Sequence, residues 1–312
     1  MATKMSSSGR AYRVLGGLVV TLCVVLVFAG IFKDLEAVKF DHFEWSYLWR
    51  ALAVLPVAYV LRAAAFGVVV RSMDQASPVA ASMWVYLIAQ VGKYIPGKVW
   101  QVAGAGYFGA KFGTAPQASV VASACFMVIH LSVGSLLGLL VVSHPVLSSN
   151  SVHNAALVGV LGLCVVAFAA SPLLPKLLHW IGQKTGKNLD IERVPLLAVL
   201  LTVATSLCVW ILFGVAVVDV FRSVLPAYPP PDLITATAGM AAAAVAGFAI
   251  VVAPSGLGVR EAVFVAVFSG AYSAAGAGVA AIAMRLIMSV VEVVLALIGL
   301  AWGRRFRRSI GA

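Results

Sequence analysis

Nine ionisable side chains lie within or beside the long apolar stretches of this sequence, where a charge needs a partner or a function to persist. Cations outnumber the two carboxylates among them, and a cationic cavity suits an anionic ligand such as a lipid phosphate. The pattern therefore predicts an anion-binding site. The nine residues are Arg62, Lys93, Lys98, Lys111, His130, Arg260, Glu261, Arg285 and Glu292.

Several of these charges gather at two breaks in the apolar sequence. In the first break, residues 90–101, a Pro-Gly pair interrupts the helical pattern between Lys93 and Lys98. The second break, residues 253–262, contains a Pro-Ser-Gly turn followed by an Arg-Glu pair. Backbone freed at such a break persists in a membrane only where it is buried in protein or lines a cavity. The helix that follows each break also directs amide donors and its positive dipole end toward that cavity.

The charges at the two breaks, together with those on neighbouring spans, form the predicted substrate-binding site. Tyr94 and Trp100 join it because their amphipathic rings suit head-group depth. The predicted site contains Arg62, Lys93, Tyr94, Lys98, Trp100, Arg260, Glu261, Arg285 and Glu292. We predict no catalytic residue, no metal ligand and no cofactor, because no nucleophile–base pair, zinc spacing or nucleotide loop is present.

Structural roles stay open for some of these residues. Arg285 and Glu292 are seven positions apart on one helix face, and each either binds substrate or pairs with a neighbouring helix to fix packing. The adjacent Arg260 and Glu261 either bind substrate or form a pair at the start of a helix. His130 stands alone in its span and is expected to be a hydrogen-bonded packing residue.

The composition predicts an all-α, polytopic membrane protein. Hydrophobic residues make up 62% of the chain, charged residues only 11%, and the mean hydropathy is +1.04. A soluble domain has about 25% charged residues. The apolar stretches are long and do not alternate, which argues against a membrane β-barrel. The net charge of +11 suits contact with anionic lipid heads, and its dispersal over loops and tails argues against nucleic-acid binding.

The sequence divides into about six full spans and two re-entrant hairpins built from short, broken helices. In the first hairpin the short helices are 78–91 and 99–113, and in the second they are 233–252 and 263–272. For the first pair, the alternative is one full span followed by an amphipathic surface helix. The predicted full spans are 12–32, 47–70, 115–142, 155–174, 196–218 and 275–302.

The order of long and short segments repeats, which predicts one membrane domain over 1–312 made of inverted halves 12–142 and 155–302. An odd number of full crossings in each half would give the two halves opposite orientations. Basic residues at both ends place the N- and C-termini in the cytoplasm. Asp219 and Arg222, at the end of a span, are expected to be solvated.

Both breaks resemble motifs of a known family. The sequence GKYIPGKVW at 92–100 is similar to the GKYLPGK-type motif of the lysylphosphatidylglycerol synthase transmembrane family, also called flippase-like membrane proteins. The sequence PSGLGVRE at 254–261 resembles the PGGLGVRE motif of that family, with Ser255 where glycine is common. Arg285 matches a recurrent arginine of the family. The resemblance extends over nearly the whole chain.

The resemblance implies a bacterial or archaeal inner-membrane protein that moves a phospholipid or a lipid-linked glycan between leaflets. Bifunctional members carry a soluble aminoacyltransferase domain after this region, and this sequence shows none, so the flippase activity is expected without the synthase activity. A flippase or lipid transporter is therefore the leading hypothesis. One rival is a non-transporting component that presents lipid to a partner glycosyl- or aminoacyltransferase. Another is an intramembrane enzyme, for which no catalytic residues are visible. A homo-oligomer is compatible with either membrane role.

Overall fold

The computed structural model describes residues 43–94, 100–142, 195–250 and 256–309, and these residues form seven α-helices without a strand. This confirms the all-α class. A 3₁₀ turn, Gln90–Tyr94, continues from the second helix. The helices are α1 (Trp45–Met73), α2 (Val79–Ala89), α3 (Trp100–Lys111), α4 (Pro116–Val142), α5 (Leu196–Val224), α6 (Leu233–Ala249) and α7 (Val259–Ser309).

Four of the described helices, α1, α4, α5 and α7, are long and apolar enough to cross a bilayer. Helix α6 is apolar but shorter, as the sequence predicts for a hairpin arm. The chain is therefore a multi-pass membrane protein. The predicted spans 12–32 and 155–174 lie outside the described residues. The number of crossings and the re-entrant path of the short helices stay predictions.

Helix α7 contains a sharp interruption at Ser273, whose φ is 63°. The Ser273 hydroxyl accepts a hydrogen bond from the Gly276 amide at 3.2 Å, which is the bond that an N-cap serine makes. Helix α7 is therefore two arms, 259–272 and 274–309. These arms match the short helix and the long span that the sequence predicts on either side of this point.

The described helices follow the order long, short, short, long twice, first in α1–α4 and then from α5 to the second arm of α7. Helices α1 and α5 pack antiparallel: the Glu44 amide donates to the Ser223 carbonyl at 3.0 Å, while the Tyr59 and Phe213 rings lie 5.9 Å apart. This direction is the one that an inverted repeat requires of equivalent helices. The inverted repeat itself stays a prediction.

The remaining contacts also occur in equivalent pairs. Gly138 on α4 packs closely against Ala242 on α6, and Gly299 on the second arm of α7 packs closely against Ile88 on α2. In each case the long helix that ends one half covers the first short helix of the other half. The two halves therefore pack closely against each other.

A glycine allows the chain to fold back tightly at each break. A Cβ at Gly92 would lie 2.7 Å from the Trp100 carbonyl carbon, and a Cβ at Gly256 would lie 2.7 Å from the Gly247 Cα. Gly256 also has a φ of +71°, which side-chain-bearing residues rarely adopt. Each pair of short helices therefore forms a close antiparallel hairpin.

We expect Gly256→Ala to lower the stability of the protein by about 1–3 kcal/mol, because it adds both left-handed strain and a backbone clash. Thermal unfolding of the detergent-purified protein measures the effect. Gly270→Ala is the matched control, since a Cβ there meets nothing within 4 Å and alanine favours the helix. Equal midpoints for the two variants would contradict the close approach of Gly256 and Gly247.

The solvated position expected for Asp219 is wrong. Its relative exposure is 1%, because α1 packs along this end of α5, and α5 continues to Val224. Arg50 of α1 lies 3.6 Å from the carboxylate, and Arg222 lies 3.9 Å from it. The side chain of Arg222 is 38% exposed, so the prediction holds only for this residue of the pair.

Candidate functional site

A cavity of about 130 Å³ lies between the two breaks, and it is lined by side chains from all seven described helices. We call it the polar cavity. It is large enough to hold a small polar group, since one water needs only about 10–15 Å³ by the same kind of measure. Its charged and polar lining residues are Tyr59, Arg62, Tyr86, Gln90, Lys93, Gln101, Ser123, His130, Arg260 and Glu292.

Glu292 joins the first break to the last span. The residue is 2% exposed, and its carboxylate forms an ion pair with the Lys93 ammonium. The Tyr59 hydroxyl donates to the same carboxylate, and the Tyr94 hydroxyl donates to its Oε2 at 2.7 Å. Tyr94 also contacts the Ser289 hydroxyl at 3.0 Å. A buried carboxylate is stable only with such partners, so this cluster fixes the first break against the second arm of α7.

Glu261 plays the equivalent part at the second break. Its Oε2 accepts from the Gly258 amide at 2.7 Å, which caps the start of α7. Its Oε1 forms an ion pair with Arg285 from the second arm. Arg285 and Glu292 therefore make the helix-to-helix ion pairs that the sequence left open as one alternative. Each pairs with a residue of a break and not with the other.

Arg260 is placed differently from Lys93 and Arg285. Its guanidinium faces the polar cavity, and its described hydrogen-bond contacts are the sulfur atoms of Met240, at 3.4 Å, and Met288, at 3.0 Å. Among the described residues it forms no ion pair. A thioether is a weak acceptor, so the strongest donors of this arginine remain available to an anion in the cavity.

An apolar groove of about 580 Å³ lies on the other side of the first break. Gln90, Lys93 and Gln101 face the polar cavity, whereas Gly92 and Trp100 face the groove. On the second arm of α7, Glu292 similarly faces the cavity and its neighbour Val293 faces the groove. The other lining residues of the groove are Ile88, Ala89, Val91, Ala103, Gly104, Tyr107, Phe108, Ala296, Leu297 and Leu300.

Described residues of the first break and one turn of α7 therefore form a wall between the polar cavity and the apolar groove. The Gln101 amide donates to the Gln90 side-chain oxygen and ties the two arms of this wall together. A molecule with a polar head and an apolar chain could contact both spaces across this wall.

The structure brings most of the sequence-predicted residues together. Arg62, Lys93, Arg260 and Glu292 line the polar cavity, and Tyr94, Glu261 and Arg285 support it through the bonds described above. Trp100 instead lines the apolar groove and is 48% exposed. Lys98 lies outside the described residues. Lys111, on α3, lies over the Tyr107 ring at 4.2 Å and does not line the polar cavity.

Sequence reasoning missed several residues of the cavity. Tyr59 precedes Arg62 by three positions, so the two share one face of α1, and this helical spacing could have identified it. Gln90 and Gln101 are polar residues at the two ends of the first break, which is also a readable signal. Met240 and Met288 carry no such signal, because methionine is an ordinary packing residue in an apolar helix.

A family model described as the lysylphosphatidylglycerol synthase TM region matches residues 13–296. No match was found among curated proteins. The matched range contains both breaks, the Lys93–Glu292 and Arg285–Glu261 ion pairs and the polar cavity, and it confirms the family resemblance. The chain therefore belongs to the lysylphosphatidylglycerol synthase TM region family, a membrane region associated with lipid synthesis or translocation.

Proposed function

We propose that the protein moves an anionic phospholipid or lipid-linked precursor between membrane leaflets, with the phosphate bound by Arg260. The observation that carries this proposal is the position of Arg260: a cation in the polar cavity whose described acceptors are two sulfur atoms. A partly buried guanidinium is stabilised by an anionic or strong hydrogen-bonding partner, and a lipid phosphate supplies both.

Two other described cations, which contact the breaks, support this assignment because they differ from Arg260 in having ion-pair partners. Lys93 and Arg285 are each paired with a carboxylate, Glu292 and Glu261, so their charge is already balanced. We assign to these two pairs the task of holding each break against the second arm of α7. No covalent step follows from this arrangement, and we propose a transporter without enzymatic activity.

The apolar groove supports a lipid as the ligand. A lipid head in the polar cavity and an acyl or prenyl chain in the groove would place polar and apolar groups in matching surroundings. The lipid would bind across the wall formed by the first break. The family resemblance implies a bacterial or archaeal cytoplasmic membrane, and we propose that both termini lie in the cytoplasm because basic residues flank the ends of the chain. A C-terminal reporter that is active only in the cytoplasm tests this orientation.

Translocation in liposomes tests the proposal. Purified protein is reconstituted into phosphatidylcholine vesicles that contain a trace of head-group-labelled or chain-labelled phosphatidylglycerol, and a membrane-impermeant quencher reports the outer leaflet. We expect labelled phosphatidylglycerol to exchange between leaflets faster than labelled phosphatidylcholine with the same chains. Protein-free vesicles are the control, and equal slow rates for both lipids in the presence of folded protein would contradict transport.

The same experiment separates transport from lipid presentation. If the protein retains phosphatidylglycerol during purification but moves none between leaflets, a component that delivers lipid to a partner transferase becomes the better assignment. The polar cavity would serve either role, because both begin with binding of the head group. Co-purification of a glycosyl- or aminoacyltransferase, or of a second copy of the chain, would identify such a partner.

A further inference from the structure

A second cluster of buried polar groups lines the polar cavity, separate from Arg260. It consists of Arg62 on α1, Tyr86 on α2 and His130 on α4. Tyr86 is 2% exposed and His130 is 7% exposed. In the part of the chain that the structure describes, the Arg62 Nε and the His130 Nδ1 are buried without a hydrogen-bond partner, and the Tyr86 hydroxyl, which interacts with the Gln90 side chain, makes no hydrogen bond of good geometry. Three buried polar atoms that lack a well-formed hydrogen bond at one cavity point to a ligand that supplies partners for them.

Aromatic packing holds this cluster in place. The Arg62 guanidinium lies over the Tyr86 ring at 5.7 Å, and this ring packs against Phe126 at 6.1 Å. The His130 ring stacks on Trp210 at 4.4 Å, and the Trp210 indole donates to the His130 carbonyl at 3.1 Å. Packing against these neighbouring aromatic rings therefore holds the polar atoms at the cavity, as a preformed binding site requires.

The charges that line the cavity do not balance. Arg62, Lys93 and Arg260 are cations and Glu292 is a carboxylate, which gives a net charge of +2 over the described lining residues with His130 counted as neutral. The charge of Lys93 is balanced by its ion pair with Glu292. The excess positive charge is therefore that of the two arginines, neither of which forms an ion pair within the described part of the chain. Excess charge in a low-dielectric cavity requires a ligand of opposite charge.

We propose that Arg62, Tyr86 and His130 form a second anion subsite, so that the cavity selects a lipid head with two negative charges over one with a single charge. The chemical class is a phosphomonoester or diphosphate lipid, in which Arg260 binds one negative oxygen group and the second subsite binds the other. This inference rests on the proposed function for the binding of the head group at Arg260. It also implies that a cationic, aminoacylated head is a poor ligand.

The test compares two probe lipids with identical chains. Wild-type protein in phosphatidylcholine liposomes is given labelled phosphatidic acid, a phosphomonoester, or labelled phosphatidylglycerol, a phosphodiester, at pH 8.5, where the phosphomonoester is largely dianionic. We expect translocation of phosphatidic acid to be favoured by about 10-fold or more, since each charge-assisted contact is worth at least that factor. Arg62→Gln should bring the ratio of the two rates close to one, and Arg62→Lys should keep part of the preference.

Tyr86→Phe keeps the ring and removes only the hydroxyl, so it tests the subsite in a protein whose packing is unchanged. It should lower the same ratio a few-fold. Arg71→Gln removes a charge from the exposed end of α1, outside the cavity, and should leave the ratio at its wild-type value.

Two results would overturn the second subsite while leaving the proposed function in place. One is a wild-type protein that moves both lipids equally, and the other is an unchanged ratio in both Arg62→Gln and Tyr86→Phe. In either case Arg260→Gln would still slow both lipids. If Arg260→Gln slows neither lipid, the proposed function itself fails, so the two failures are distinguishable.

Discussion

Replacing Arg260 with glutamine should reduce lipid translocation by about 10- to 100-fold while leaving the protein folded. The factor follows from the loss of charge-assisted hydrogen bonds to the phosphate, which are worth about 1.5–3 kcal/mol. The fold should tolerate the change because Arg260 forms no ion pair among the described residues, so its removal leaves no carboxylate without a partner. Reconstituted translocation of labelled phosphatidylglycerol measures the rate.

Two further variants define what the assay reports. Arg260→Lys keeps the charge but loses the planar fork of donors, so we expect a rate between those of wild type and Arg260→Gln. Arg71→Gln changes the net charge of the protein by the same amount on an exposed residue and should translocate normally. A folded Arg260→Gln protein with a wild-type rate would remove Arg260 from the lipid path.

Much of this site can be predicted from the sequence, because a charge or a helix break within an apolar stretch is unfavourable and can be recognised from the neighbouring residues alone. A proline and a glycine between lysines, or an arginine beside a glutamate, stand out in an apolar chain without knowledge of the fold. The same local reasoning predicted the short helices around each break and the interruption near Ser273. Periodicity and length also set the class and most helix bounds, since each depends only on neighbouring residues.

The pairing of the charges could not be read in this way. Lys93 and Glu292 are 199 positions apart, and Arg285 and Glu261 belong to different arms of α7, so only the packing of the two halves brings each pair together. From the sequence, Lys93, Lys98, Arg260 and Arg285 are equivalent candidates for phosphate binding. The structure separates the three that it describes, because Lys93 and Arg285 have carboxylate partners and Arg260 has sulfur atoms. The burial of Asp219 could not be predicted for the same reason, because it depends on the contact between α1 and α5.

Replacing Glu292 with glutamine should destabilise the protein by about 3–5 kcal/mol, the usual effect of removing one partner from a buried ion pair. The lysine would lose its carboxylate, and its side chain is only 25% exposed. Lys93→Met should also destabilise, because among the described residues it leaves the Glu292 side chain, at 1% exposure, with the Tyr59 and Tyr94 hydroxyls as its remaining donors. Thermal unfolding in detergent measures both variants.

The double variant, Lys93→Met with Glu292→Gln, decides between a structural and a substrate-binding role for this pair. Removing both charges leaves neither member of this pair as a buried charge without its partner, so we expect the double variant to be more stable than either single variant, with a coupling energy of about 1–3 kcal/mol. If the pair only holds the first break against the second arm of α7, the double variant should also translocate lipid at close to the wild-type rate. A stable double variant that does not move lipid would instead show that Lys93 or Glu292 contacts the head group, and Arg260 would then share the phosphate with the first break.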